Sequence, residues 1–165
     1  MCIRDRLYTL RAACCVDHHQ LTVFDDHLRS GLSSICNVSL TDDQWLQASL
    51  PVRNGGLELR RVSSLASSAF LAFAAGTRRL QELILHRVKS CNDDVYESCL
   101  MIRAGSRLAS PDDSDAHKQR LWDKAVVDAE FSQLFNKYTA PNHRARLLAA
   151  VAPHSGDWLH TVPIR

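Results

Sequence analysis

Four stretches of this chain hold residue types that do chemistry. "FDD", Phe24 to Asp26, sets two carboxylates side by side, and paired carboxylates hold divalent metal ions in polymerases. That motif is an aromatic, a spacer and then Asp-Asp on a hairpin. Here the spacer is absent and Phe24 belongs to a helical stripe, so Asp25 and Asp26 point about 100° apart. "CCVDHH", Cys14 to His19, offers four soft ligands of the kind zinc takes. Their spacing is too compressed for a finger or ribbon, and buried thiols with surface histidines at a helix start explain the same letters. "HSGDW", His154 to Trp158, juxtaposes His, Ser and Asp. A triad requires convergence in space, and no G-x-S-x-G elbow is present. Ser155 as an N-cap and Trp158 as a core anchor account for it equally. "LPVRNGGLELR", Leu50 to Arg60, carries two adjacent glycines. Neither Lys-Ser/Thr nor G-x-G-x-x-G follows the phosphate-loop pattern.

Basic side chains form the remaining constellation: Arg53, Arg60, Arg61, Arg78 and Arg79, with Arg144 and Arg146 further on. Sixteen arginines stand against four lysines, and guanidinium forks match phosphate oxygens. GC-rich coding DNA gives the same bias. Charge alone favours a solvated helix face over a phosphate backbone as the partner of these residues.

The elements that must position these groups are helices. Leu21, Phe24, Leu28, Leu32 and Ile35 step by three and four, an amphipathic stripe with Asp17 as its N-cap. Thr41 with Gln44 fits a capping box and predicts a helix from about Asp42 to Ser49, stopped by Pro51. Asn54-Gly55 is the preferred pair for a type I′ turn, which predicts a very short hairpin with Leu50 and Val52 facing Leu59 and Leu57. The Ala/Leu/Phe-rich run from Ser64 predicts a close-packed helix ending at Gly76. Thr77 then caps a second helix with stripe Leu80, Leu83, Ile84 and Val88. Asn92 caps a helix holding Val95, Cys99 and Ile102. Val127, Phe131, Leu134 and Tyr138 mark another, and "APNHRARLLAAVA" a last one closed by Pro153. "SGDWLHTVP" reads as one capped turn. The predicted class is mainly α: a helical bundle of about six to eight helices with one short β-hairpin-like segment near residues 50–60.

The bulk numbers fit one domain, or one domain plus an appended subdomain, in 165 residues with a net charge of +2. The six cysteines, Cys2, Cys14, Cys15, Cys36, Cys91 and Cys99, form no C-x-x-C pair. No secretory pattern precedes them, so free thiols in a reducing compartment are expected, with the chain intracellular, in cytoplasm or nucleus, and not secreted. The longest apolar run, Ala69 to Ala75, is far short of a membrane span.

Trp45, Leu50-Pro51, Gly55-Gly56-Leu57 and Arg60 make the ordered set W-x4-LP-x3-GGL-x2-R. This resembles the segment behind the polymerase palm in non-LTR (LINE-type) retrotransposon reverse transcriptases, where an Ala/Leu-rich helix follows as "SSLASSAFLAFAAG" does here. "LYTLRA" and "FDDHLRSGLSSI" look like that family's thumb-region helices, and "WDKAVVDAEF" and "ARLLAAVAPHSGDWLHTVP" like its post-thumb region. The resemblance spans roughly Leu7 to Pro163 and departs at Glu58, where the family usually has Gly. The opening "MCIRDR" resembles an assembly-adapter peptide, so residues 1–6 are set aside as a non-native leader.

The resemblance implies a thumb-like helical region at 7–103 and a C-terminal helical subdomain at 116–165, and between them the composition of "AGSRLASPDDSD", Ala104 to Asp115, reads as a linker. Palm and endonuclease would lie outside this stretch. Trp45, Leu50, Pro51, Gly55, Gly56 and Leu57 would be its structural motif. Arg53, Arg60, Arg61, Arg78 and Arg79 would contact the RNA/DNA backbone, positioning it without reading sequence. It implies no catalytic residue, metal ligand or cofactor in this fragment; the parent RNA-directed DNA polymerase would use Mg2+. A stand-alone helical protein–protein interaction module is the alternative, and a small hydrolase using His154, Ser155 and Asp157 a third.

Overall fold

The computed structural model describes residues 3–12, 14, 18–85 and 93–159, with backbone alone at 3–7 and 158. Among them run seven α-helices: α1 Ile3–Ala12, α2 His19–Cys36, α3 Asp42–Ser49, α4 Val62–Ile84, α5 Asp94–Gly105, α6 Gln119–Lys137 and α7 Pro141–Val151. Two single turns of 3-10 helix lie at Val52–Asn54 and Asp157–Leu159. The mainly helical class follows. The described residues contain no strand, so the expected hairpin near residues 50–60 is corrected to a 3-10 turn.

The chain folds as two compact units, each discontinuous in sequence: Met1–Val23 with Val62–Val126, and Phe24–Arg61 with Val127–Arg165. The 104–115 segment, expected as a linker, therefore lies inside the first unit. Helix α1 begins at Ile3, within the leader set aside above.

In the first unit α1 and α5 both pack on α4. Small residues make this possible: Ala66, Ser68, Ala69 and Ala72 of α4 are buried and let a neighbouring backbone approach. The core joins Phe70, Leu71, Cys99, Ala116 and Trp122, with Tyr96 and Leu100 against it. Trp122 donates its indole N–H to the Ala116 carbonyl at 2.6 Å. Arg103 is 1% exposed. Its Nη2 donates to the carbonyls of Ala109 at 2.8 Å and Trp122 at 2.7 Å, and its guanidinium lies 5.0 Å over the Trp122 ring. Burial pulls its pKa below the ordinary value, partly opposed by Asp123. The inward face of α5 is thus Tyr96, Cys99, Leu100 and Arg103. The expected Val95–Cys99–Ile102 stripe is corrected, because Val95 and Ile102 are exposed. The N-cap of α5 is Asp93, whose carboxylate accepts from the Tyr96 N–H at 3.0 Å; Asn92 lies outside the described residues.

Helix α4 does not stop at Gly76. It continues to Ile84, and the Thr77 hydroxyl donates back to the Phe73 carbonyl at 2.9 Å instead of capping a new helix. Gly76 serves packing: a Cβ there would lie 3.3 Å from that of His117. Leu80, Leu83 and Ile84, expected as a core stripe, are exposed, as is Phe73 two turns before Leu80. Val88 lies outside the described residues.

The second unit centres on Leu46, Leu50, Val127, Leu134 and Leu147, with Phe131, Phe135 and Tyr138 against them. The predicted α6 stripe is therefore the one that packs. Arg144 lies 5.0 Å over Phe135 and donates through Nε to the Tyr138 carbonyl at 2.6 Å. Helix α2 closes with Asn37 at φ 52° and the Val38 N–H on the Ser33 carbonyl at 3.0 Å, a Schellman-type end. Of its predicted stripe, Ile35 is 85% exposed, while Asp25 is buried. Asp17 lies outside the described residues.

Candidate nucleic-acid interface

The candidate site is built around the end of α3. Thr41 Oγ1 accepts from the Gln44 N–H at 3.3 Å and the Gln44 side chain accepts from the Thr41 N–H at 2.9 Å, so the predicted capping box is present. Trp45, Leu46 and Ala48 then face inward. Leu50 is 0% exposed and Pro51 is buried with it. Pro51 stops the helix, and Val52–Asn54 makes one 3-10 turn closed by Gly55 at φ 77°. A type I′ turn requires positive φ at both central residues. Asn54 lies in the 3-10 turn instead, so the chain reverses onto α3 rather than into a second strand.

The reversal satisfies the orphan carbonyls of α3. Leu57 N–H donates to the Ala48 carbonyl at 2.9 Å, and Glu58 N–H to the Leu50 carbonyl at 3.0 Å. Gly56 passes so close that a Cβ would sit 2.0 Å from the Leu50 oxygen. Glycine is required here by approach, and at Gly55 by φ. Leu57, expected to face Val52 inside a hairpin, is 40% exposed; only its backbone is used. Glu58 takes φ 61°, and its carboxylate accepts from the Val52 N–H at 3.2 Å.

The C-terminal segment closes over the same turn. A Cβ on Gly55 would meet that of Ala150 at 3.0 Å, and one on Gly156 would lie 2.1 Å from Val52 Cγ1. The turn from Val52 to Gly55 and the segment from Ala150 to Gly156, about a hundred positions apart in the chain, therefore lie against each other within one unit.

Of the five arginines proposed for backbone contact, three belong to this unit. Arg53 is exposed, its Nε donating to Asn54 Oδ1 at 3.3 Å. Arg60 is half-buried and already engaged. Arg61 forms an ion pair with Glu130 and its Nε is buried with no hydrogen-bond partner, which makes it a structural residue of this unit. Arg78 and Arg79 lie on α4 in the first unit, both exposed. Arg78 pairs with Glu82 at 3.7 Å and borders a cleft with Gln81, Asp93, Tyr96 and Glu97. Burial raises the Tyr96 pKa, against Arg78, which lowers it, and with Glu97, Asp113 and Asp93, which raise it further. Arg78 thus shares its cleft with the acidic Asp93 and Glu97.

The other constellations stay apart. Asp25 is buried and Asp26 exposed on α2, as a helix dictates. Of "CCVDHH", Cys14, His18 and His19 are described, and no group of three or more His, Cys, Asp or Glu able to hold a metal occurs among the described residues. His154 Nδ1 and Asp157 Oδ2 are 2.8 Å apart on the surface, while the Ser155 hydroxyl donates to the Ala150 carbonyl at 2.5 Å. That serine is turned to backbone, not to an imidazole. No described helix is long and apolar enough to cross a membrane. Two features had no sequence signal: an arginine at a core position, Arg103, and the pairing of Lys137 with Asp43 at 2.7 Å, which raises the Lys137 pKa.

No protein-family model, curated protein or solved structure matches the chain.

Proposed function

We propose that this chain is a non-catalytic piece of a retroelement reverse transcriptase, its thumb and post-thumb helices, and that it helps hold the template–primer backbone in the parent enzyme. The observation that carries this reading is Glu58. The resembling family has glycine at that position, and the backbone here takes φ 61°, the region that favours glycine. The contact between the two stretches where the resemblance is strongest supports the same reading.

The exposed Arg53 and Arg79 are the phosphate contacts of this proposal, with Arg60 and Arg78 contributing less because each is already engaged. Trp45 and Arg61 act by holding the turn in place. Backbone contacts of this kind release counterions, so affinity falls as salt rises. Titration of the chain with an RNA–DNA duplex at several salt concentrations tests it. Arg53→Ala and Arg79→Ala should each weaken binding and flatten the log–log salt slope by about one. Binding that is absent, or indifferent to salt, would refute the proposal.

One observation favours the second reading, a stand-alone helical protein–protein interaction module. Phe73, Leu80, Leu83 and Ile84 leave apolar surface on α4 exposed. A protein partner captured there with salt-insensitive affinity, and no duplex binding, would select that module.

A further inference from the structure

Cys14 follows α1 and is exposed; Cys99 lies on the inner face of α5 at 2% exposure. Their sulfurs are 2.9 Å apart, across a sequence separation of 85. Both belong to the first unit. A disulfide needs sulfurs about 2.05 Å apart, so less than 1 Å of side-chain movement joins them. One thiol is open to reagents in solvent, and the other is sheltered but within reach of the first. That is the arrangement of an attacking and a resolving cysteine.

We propose that Cys14 and Cys99 are a redox modification site whose reagent is a low-molecular-weight disulfide of the glutathione class. The Cys14 thiolate attacks one sulfur of the reagent, the S–S bond of the reagent breaks, and one half departs as a thiolate that takes up a proton. The resulting mixed disulfide on Cys14 is then attacked by the Cys99 thiolate. A Cys14–Cys99 bond forms, and the second half departs as thiol. Two protein thiols are oxidised and one reagent disulfide is reduced to two thiols. The product ties the end of α1 to the middle of α5. Cys36, on α2 in the other unit, takes no part.

The test uses the reduced whole chain and oxidised glutathione, quenched with N-ethylmaleimide and read by intact mass and peptide mapping. The expected product has lost two hydrogens at Cys14 and Cys99, keeps no glutathione on either and yields a cross-linked Cys14–Cys99 peptide pair. In Cys99→Ser, glutathione should stay on Cys14 as a stable adduct. In Cys14→Ser, a change at an exposed position that leaves the core intact, Cys99 should resist glutathione. A wild-type chain that retains glutathione on Cys14, or that joins Cys14 to Cys2, Cys15, Cys36 or Cys91, overturns the proposal.

Discussion

Substituting Glu58 by glycine and by alanine should reverse the usual order of those two residues. Alanine is ordinarily the more stable choice, because glycine loses more freedom on folding, by roughly 0.5–1 kcal/mol. At φ 61° an L side chain instead costs roughly 1–2 kcal/mol that glycine avoids. The difference leaves Glu58→Gly ahead of Glu58→Ala by about 0.5–1 kcal/mol. Both variants lose the hydrogen bond from the Val52 N–H to the carboxylate, 3.2 Å long and exposed, worth about 1 kcal/mol. Glu58→Gly should therefore lie within about 0.5 kcal/mol of wild type, and Glu58→Ala about 1 kcal/mol below it. Urea unfolding of the whole chain, followed by far-ultraviolet circular dichroism, reads this as a midpoint gap of about 0.25–0.5 M at a slope of about 2 kcal/mol per molar. If Glu58→Ala matches or exceeds Glu58→Gly, the backbone is not left-handed there in solution. The observation that carries the proposed function then fails with it.

Gly56→Ala should cost at least about 3 kcal/mol, because the new Cβ meets the Leu50 and Gln47 carbonyls, which are backbone and cannot yield; an unchanged urea midpoint would show that the close approach is absent. Arg103→Ala, which empties a buried site and strands the Ala109 and Trp122 carbonyls, should cost about 3 kcal/mol and lower Tm by about 10 °C. Arg103→Lys should recover little of this, lacking the planar fork; thermal scans within about 2 °C of wild type for both would refute the core role. The Asp115 carboxyl is held below its ordinary 3.8, first by the hydrogen bond from Lys118. A lowered folded pKa contributes stability above 3.8 that is lost as pH falls through the folded value. Lys118→Ala should move its titration back up toward 3.8, followed by carboxyl NMR, and an unmoved titration would dissolve the pair.

What could be read from the sequence was local and periodic. Thr41 and Gln44 announce the start of α3 because a capping box is written in four consecutive positions. Val127, Phe131, Leu134 and Tyr138 announce the packed face of α6 because apolar residues recur there at steps of three and four. On α5 the same logic slips by a residue, since the inward face includes Arg103, whose Nη2 is held by the carbonyls of Ala109 and Trp122. At Gly76 a helix-stop signal is overridden by the proximity of His117, which only the folded unit supplies. Asn54-Gly55 was legible as a reversal but not in its direction. The acceptors that decide it are the carbonyls of Ala48 and Leu50 at the end of α3. The arginines of the candidate site were legible as a set, yet nothing in their spacing separates Arg61, engaged by Glu130, from Arg53, which faces solvent.

The second unit is assembled from the two flanks of the Val62–Val126 segment of the first, and this makes its stability a matter of chain entropy as well as contacts. Bringing Phe24–Arg61 to Val127–Arg165 closes a loop of roughly 65 residues, which for a disordered tether costs about 4 kcal/mol beyond a constant. When the first unit melts, that tether becomes disordered and the second unit must bear the closure term. Damage at Trp122 or Arg103 should then be felt at the turn around Gly56 through this closure term. During synthesis the order is equally constrained: the "GGL" turn lacks its cover until Ala150 and Gly156 have left the ribosome.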